Sequence, residues 1–125
     1  MICRRNSIII KKVTPLNSPN TASQPIDLEI EDGKISHHGP QLDNPNGLKE
    51  CVFEKALISK GWVDLHVHVY FGATEISIRP EQAGLKTGVT TLVDCGSAGE
   101  ANFVGFSEFI AKQAKERLFA FLNIG

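Results

Sequence analysis

The segment Gly61-Trp62-Val63-Asp64-Leu65-His66-Val67-His68-Val69-Tyr70 alternates polar and aliphatic side chains. In an extended strand alternate residues share a face. That predicts Asp64, His66 and His68 on one side of a strand over Trp62–Val69, with Val63, Leu65, Val67 and Val69 on the other. Two imidazoles at i and i+2 on one face can offer nitrogens to a single divalent metal at ~2.0–2.1 Å, the length of a zinc–histidine bond. A bare His-x-His pair is more often plain surface. Here an aspartate stands two residues ahead, four aliphatics occupy the opposite face and a glycine-containing loop follows, which favours His66 and His68 as metal ligands. Asp64 is expected to accept a hydrogen bond beside them rather than to ligate. Tyr70 and Phe71 after the strand, and Asp94 and Ser97 near the end of a second strand, are the candidates for lining a substrate pocket. Packing for the two aromatics and loop capping for the other two are the plainer roles.

The elements that must position these residues fall into two parts. From Ser7 to about Lys60 the pattern predicts short antiparallel strands at Ser7–Val13, Asp27–Glu31, Lys34–His37 and Glu50–Ile58. Ile26, Leu28 and Ile30 alternate with Asp27, Glu29 and Glu31, and Asp32-Gly33 suits the positive φ of a two-residue hairpin turn. Thr14–Pro25 and Gly39–Gly47 read as exposed loops. After Gly61 the order becomes strand, short helix, strand, longer helix, strand. A helix over about Arg79–Lys86 has Pro80 for its first turn and Gly88 for its stop. A strand at Val89–Cys95 follows, then a helix over about Ala101–Arg117 with Phe103, Phe106, Ile110 and Ala114 on one face. Its other side carries Glu108, Lys112, Lys115 and Glu116, and Glu108 and Lys112 sit in the favoured i,i+4 order. A strand at Leu118–Ile124 closes the series. Trp62 and the three helix phenylalanines are read as core. The β-α-β-α-β order implies an α/β architecture with a parallel sheet.

Composition sets bounds on function. The 125 residues carry 13 Lys+Arg and 14 Asp+Glu, so no basic field exists to hold nucleic acid or an anionic membrane. The longest apolar runs, Ile8–Ile10 and short strand-like stretches, are far below the ~20 residues of a spanning helix. Met1–Asn6 is not followed by an apolar block of ~7–15 residues, so no secretory signal is supported and a cytoplasmic setting is expected. Cys3, Cys51 and Cys95 are widely spaced and odd in number, which favours reduced thiols over a disulfide framework or a cysteine zinc knuckle. His37-His38, just after a hairpin strand, read as exposed.

Gly61–Tyr70 resembles the first barrel strand of the amidohydrolase superfamily of metal-dependent hydrolases. Thr87-Gly88-Val89-Thr90-Thr91-Leu92-Val93-Asp94-Cys95-Gly96-Ser97-Ala98-Gly99 is similar to its second strand and loop, and Phe119–Ile124 to a third strand. Asp27–Ile35 and Ala56–Gly61 resemble strands of the small β domain that precedes the barrel. Within the superfamily the chain looks closest to the deacetylase branch related to dihydroorotases and D-aminoacylases. Lys60 stands where proline is usual. The arginine that dihydroorotases place just after the histidine pair is replaced by Val69-Tyr70-Phe71-Gly72, which argues against that specificity.

The resemblance implies a partial β domain at 1–60 and the first three strands of a TIM-like (β/α)8 barrel at 61–125. It also implies a mono- or binuclear divalent metal site, zinc first, with His66 and His68 on the more buried ion. The reaction implied is hydrolysis of an acyl ester or amide by metal-activated water, on a small acylated substrate. Remaining ligands and the catalytic base belong to later strands in the family. A barrel takes ~200 residues at the least, so the chain is expected to be an N-terminal portion, inactive alone. A non-catalytic module that associates through its open sheet edge is the alternative.

Overall fold

A computed structural model describes residues 7–16 and 24–124. Cys3 and most of the Thr14–Pro25 loop lie outside the described residues. The chain divides into two compact units, Met1–Ser59 and Lys60–Gly125.

The first unit is a four-stranded sheet of β1 (Ser7–Pro15), β2 (Ile26–Glu31), β3 (Lys34–Gly39) and β4 (Lys49–Ile58), in the order β3-β2-β1-β4. The Asp32-Gly33 turn has φ of 50° and 76°, the two positive values the hairpin requires. The sheet is not all antiparallel, as the strand pattern had suggested. β4 pairs parallel with β1, because the chain leaves β3 at one edge and crosses to the other before re-entering. Thr14 and Pro15 belong to β1, paired with Leu57 and Ile58.

Asp27 departs from the simple alternation. It is buried beside Leu28, and its carboxylate accepts the amides of Lys12 and Leu42, each at 3.0 Å. Lys12 has φ of 61° at a register shift between Ile10 and Val13, so Asp27 fastens a bulge in the central strand and the loop after β3 together. Replacing Asp27 by alanine leaves two amides without this acceptor. The variant is expected to lose about 2–4 kcal/mol of stability in urea unfolding of the full chain.

The second unit is the parallel sheet β5 (Trp62–Val67), β6 (Val89–Gly99) and β7 (Arg117–Asn123), in the order β5-β6-β7. Between β5 and β6 lie α1 (Pro80–Ala83) and a 3-10 turn at Leu85–Thr87, which Gly88 ends at φ 84°. Pro80 occupies the first turn and is buried. Between β6 and β7 lies α2 (Phe103–Phe106), which continues as a π turn over Ser107–Ala111. Val69, Leu92, Ala98 and Phe106 form the core, with Val67, Leu118 and Ala120 packed against it.

The second helix is shorter than its periodicity indicated, and Arg117 already belongs to β7. Of the three phenylalanines only Phe106 is buried, while Phe109, within the π turn that shifts the side-chain phase, is 70% exposed. Glu108 pairs with Lys112 as their spacing implied. Glu116 is instead buried, its carboxylate accepting the Leu85 amide at 3.0 Å. Trp62 is largely exposed, not core. Val63 and Leu65 are likewise uncovered, since β5 is an edge strand and the short helical turns reach only Val67 and Val69. Among the described residues no helix is long and apolar enough to cross a membrane.

Candidate metal centre

His66 and His68 stand at the carboxyl end of β5, where the active sites of parallel β/α barrels collect. Val67 packs against the core and Val69 is fully buried in it, while the imidazoles of His66 and His68 come together. Their ring centroids are 5.5 Å apart with planes at 75°. His66 is exposed and His68 half-buried.

Strict alternation breaks between Asp64 and Val67, an interval that contains His66. Asp64 is opposite Leu92 and Val67 is opposite Asp94, three residues against two, so β5 accommodates an extra residue between them. Asp64 therefore holds a register position on the face of Leu92 rather than sharing the histidine face. Its Oδ1 accepts the His66 amide at 2.9 Å, which fixes the backbone on which the first imidazole stands.

His68 has a side-chain partner. Its Nδ1 lies 3.0 Å from Ser97 Oγ, and Ser77 Oγ donates to the same oxygen at 3.4 Å. Ser77 in turn bonds Thr74. Ser97 reaches this position because β6 is irregular between Cys95 and Gly99, where Gly96 has φ of 86°. Asp94 fastens that turn: fully buried, it accepts the Ser97 amide and the Val69 amide, each at 2.8 Å. One carboxylate thus joins the residue after His68 to the loop that touches the His68 ring.

The four residues read as pocket-lining have different surroundings. Tyr70 packs edge-on against Phe106 at 5.3 Å and donates its hydroxyl to the Asn102 carbonyl at 3.0 Å, so it pins α2 instead of facing open space. Phe71 is partly exposed beneath the Arg79 guanidinium, 4.1 Å from the ring centre. Asp94 is sealed from solvent. Ser97 borders an open cleft of about 850 Å³ that also touches Gly99, Asn102, Leu122 and Asn123, at the carboxyl ends of β6 and β7. The histidines do not line that cleft. Ser77 had no sequence signal, since it lies in a loop without periodicity and its role depends on which oxygen the fold brings near it. His37 and His38 are exposed, and His37 lies 3.5 Å from the Glu29 carboxylate.

The donor chemistry suits a divalent ion as far as it goes. Two imidazoles are present, one held through its second nitrogen by a hydroxyl, which is how protein ligands to metals are usually oriented. Among the described residues no group of three or more His, Cys, Asp or Glu converges on one point. The pair therefore makes two of the three or four protein ligands a zinc site takes.

No family model matches the chain. It is 50% identical over 120 residues to a deacetylase of Agrobacterium fabrum, covering 94% of this chain and 30% of that protein. A deacetylase of Enterococcus faecalis is 30% identical over 110 residues, 86% of this chain and 29% of the relative. Among solved structures, one described as a dihydroorotase superposes with a TM-score of 0.83 at 50% identity, over 95% of this chain and 31% of the other. An adenine deaminase superposes with a TM-score of 0.72 at 29% identity, over 94% and 30%. The chain belongs to the amidohydrolase superfamily. Its two units match the N-terminal part of amidohydrolase barrel proteins, and it spans about 30% of the length of the curated relatives it matches. Amidohydrolases of this kind are generally metal-dependent. The amidohydrolase resemblance read from Gly61–Tyr70 and Thr87–Gly99 is thereby borne out.

Proposed function

We propose that this chain is the N-terminal part of a metal-dependent deacetylase that hydrolyses an acyl ester or amide, with His66 and His68 as two ligands of a divalent ion, zinc first. The observation that carries the reading is the imidazole pair, with ring centroids 5.5 Å apart, at the end of the first parallel strand, in a chain half identical to a deacetylase. A divalent ion held there supplies Lewis acidity at the scissile carbonyl and brings the pKa of a hydrolytic water toward ~7. This chain's own contribution is to hold and orient. Asp64 secures the His66 backbone, Ser97 engages the His68 ring, and Asp94 accepts the amides of Val69, which follows His68, and of Ser97.

The arginine position after the histidine pair, occupied by Val69-Tyr70-Phe71-Gly72, favours a deacetylase over a cyclic-amide hydrolase. Two imidazoles leave the zinc site short of ligands, so the 125-residue chain is expected to show no turnover by itself. A hydrolysis assay with added zinc, over acetylated hydroxy acids, acetylated amino acids and a cyclic amide, checks both points. Turnover above that of free zinc overturns the inactivity, and turnover confined to the cyclic amide overturns the deacetylase reading.

A second reading is association through the sheet. Leu65, Phe119 and Phe121 on the two edge strands are 70%, 54% and 64% exposed, more large apolar surface than a lone soluble sheet carries comfortably. Sedimentation of the purified chain over a concentration series tests it. A defined oligomer supports a binding module, and a monomer removes it.

A further inference from the structure

We propose that Asp94 and Ser97 act together as a positioning bracket that aims His68 and engages it in its Nδ1–H form. This rests on the reading of His68 as a metal ligand and assigns two residues of β6 to that site. Asp94 is fully buried, with no cationic side chain among the described residues bonded to it, and its oxygens accept two backbone amides, one just past the end of β5 and one in β6. A buried carboxylate accepting N–H groups at 2.8 Å makes strong, charge-assisted bonds. The amides chosen are informative: Val69 directly follows His68, and Ser97 carries the hydroxyl that meets the His68 ring. The carboxylate therefore fixes the backbone at one end of the His68–Ser97 contact and the side-chain donor–acceptor at the other.

Ser97 Oγ accepts from Ser77 Oγ, and both serines are buried. Ser97 Oγ has two lone pairs and one proton, so while accepting from Ser77 it can either accept from or donate to His68 Nδ1. With the imidazole proton on Nδ1, His68 donates to Ser97 Oγ and its Nε2 keeps a free lone pair. With the proton on Nε2, that lone pair is gone and the nitrogen facing away from the bracket cannot ligate. The first form is the one a ligating His68 requires, with Ser97 Oγ accepting from both Nδ1–H and Ser77. Asp94 and Ser97 are positioning residues in this account, and neither touches substrate.

The test uses the full 125-residue chain in two independent arms. In the first, nitrogen-15 NMR of the imidazoles in metal-free protein reads the neutral tautomer of His68, assigned by comparison with His68→Ala. The wild type is expected to hold the Nδ1–H form, and Ser97→Ala to relax toward a mixture; a wild-type His68 protonated on Nε2 overturns the proposal. In the second, zinc is titrated against a chromophoric chelator. Ser97→Ala is expected to weaken binding about 10–100-fold, the usual cost of removing a partner behind a ligand, with Ser97→Thr restoring most of the loss. Unchanged affinity in a Ser97→Ala chain whose circular dichroism matches the wild type overturns the bracket. If the wild type binds zinc no better than the chain lacking both imidazoles, the metal reading fails, and the tautomer arm still decides the bracket by itself.

Discussion

Replacing Asp94 by alanine is expected to cost about 3–6 kcal/mol, the largest stability loss of any single polar substitution in the β5–β7 sheet. The side chain is fully buried and accepts two amides at 2.8 Å. A hydrogen bond to a charged group contributes ~1.5–3 kcal/mol, and removing the acceptor leaves two donors stranded away from water. Domains are stable by only ~5–15 kcal/mol, so the loss consumes much of what holds the sheet. Trp62, the single tryptophan, lies in β5 and reports on this sheet. Urea unfolding followed by its fluorescence measures the effect. A shift below about 1 kcal/mol would show that the two amides find other acceptors, and that Asp94 is not the fastening described.

Removing both imidazoles, His66→Ala with His68→Ala, is expected to abolish zinc binding, lowering affinity by more than about 100-fold while leaving the fold intact. The lower bound comes from partners behind a ligand, whose loss alone costs ~10–100-fold; loss of the ligands themselves must exceed it. Stability is expected to change little, because His66 is exposed, His68 is half-buried and neither belongs to the core. Chelator competition supplies the affinity and fluorescence-detected unfolding the stability. Retained zinc binding in the double variant would place the ion elsewhere on the chain and sink the proposed centre.

The contrast between these two variants separates what was readable along the chain from what was not. His66 and His68 stand out by residue type and spacing, and such a signal survives without knowledge of any neighbour. Asp94 was readable only as a pocket or loop-capping candidate, because the rest of its role lies in the Val69 amide, which is distant in sequence and near only once β5 and β6 pair. Asp27 is the same case in the other unit, an apparent outward member of an alternating strand whose carboxylate is turned to the Lys12 bulge. Asp64 shows how a single inserted residue defeats period-two reasoning: the pattern places it with the histidines, and the shifted register places it opposite Leu92. Helix length failed for a related reason. The spacing of Phe103, Phe106 and Ile110 is helical, but the π turn at Ser107–Ala111 changes the side-chain phase and leaves Phe109 outside.

Local chemistry determined what could be read without coordinates: the Asp32-Gly33 hairpin, the stop at Gly88, the parallel β-α-β series, the histidine pair and, through the Gly61–Tyr70 and Thr87–Gly99 motifs, the family. Each depends on backbone preference or on neighbours within a few residues. Tertiary structure alone decided that β4 runs parallel to β1, that Asp27, Asp94 and Glu116 are buried fasteners, and that Ser97 meets His68. Those outcomes depend on which amide finds which carboxylate when water is excluded. A buried donor must be satisfied by whatever the fold brings within about 3 Å, and a one-dimensional pattern does not contain that distance.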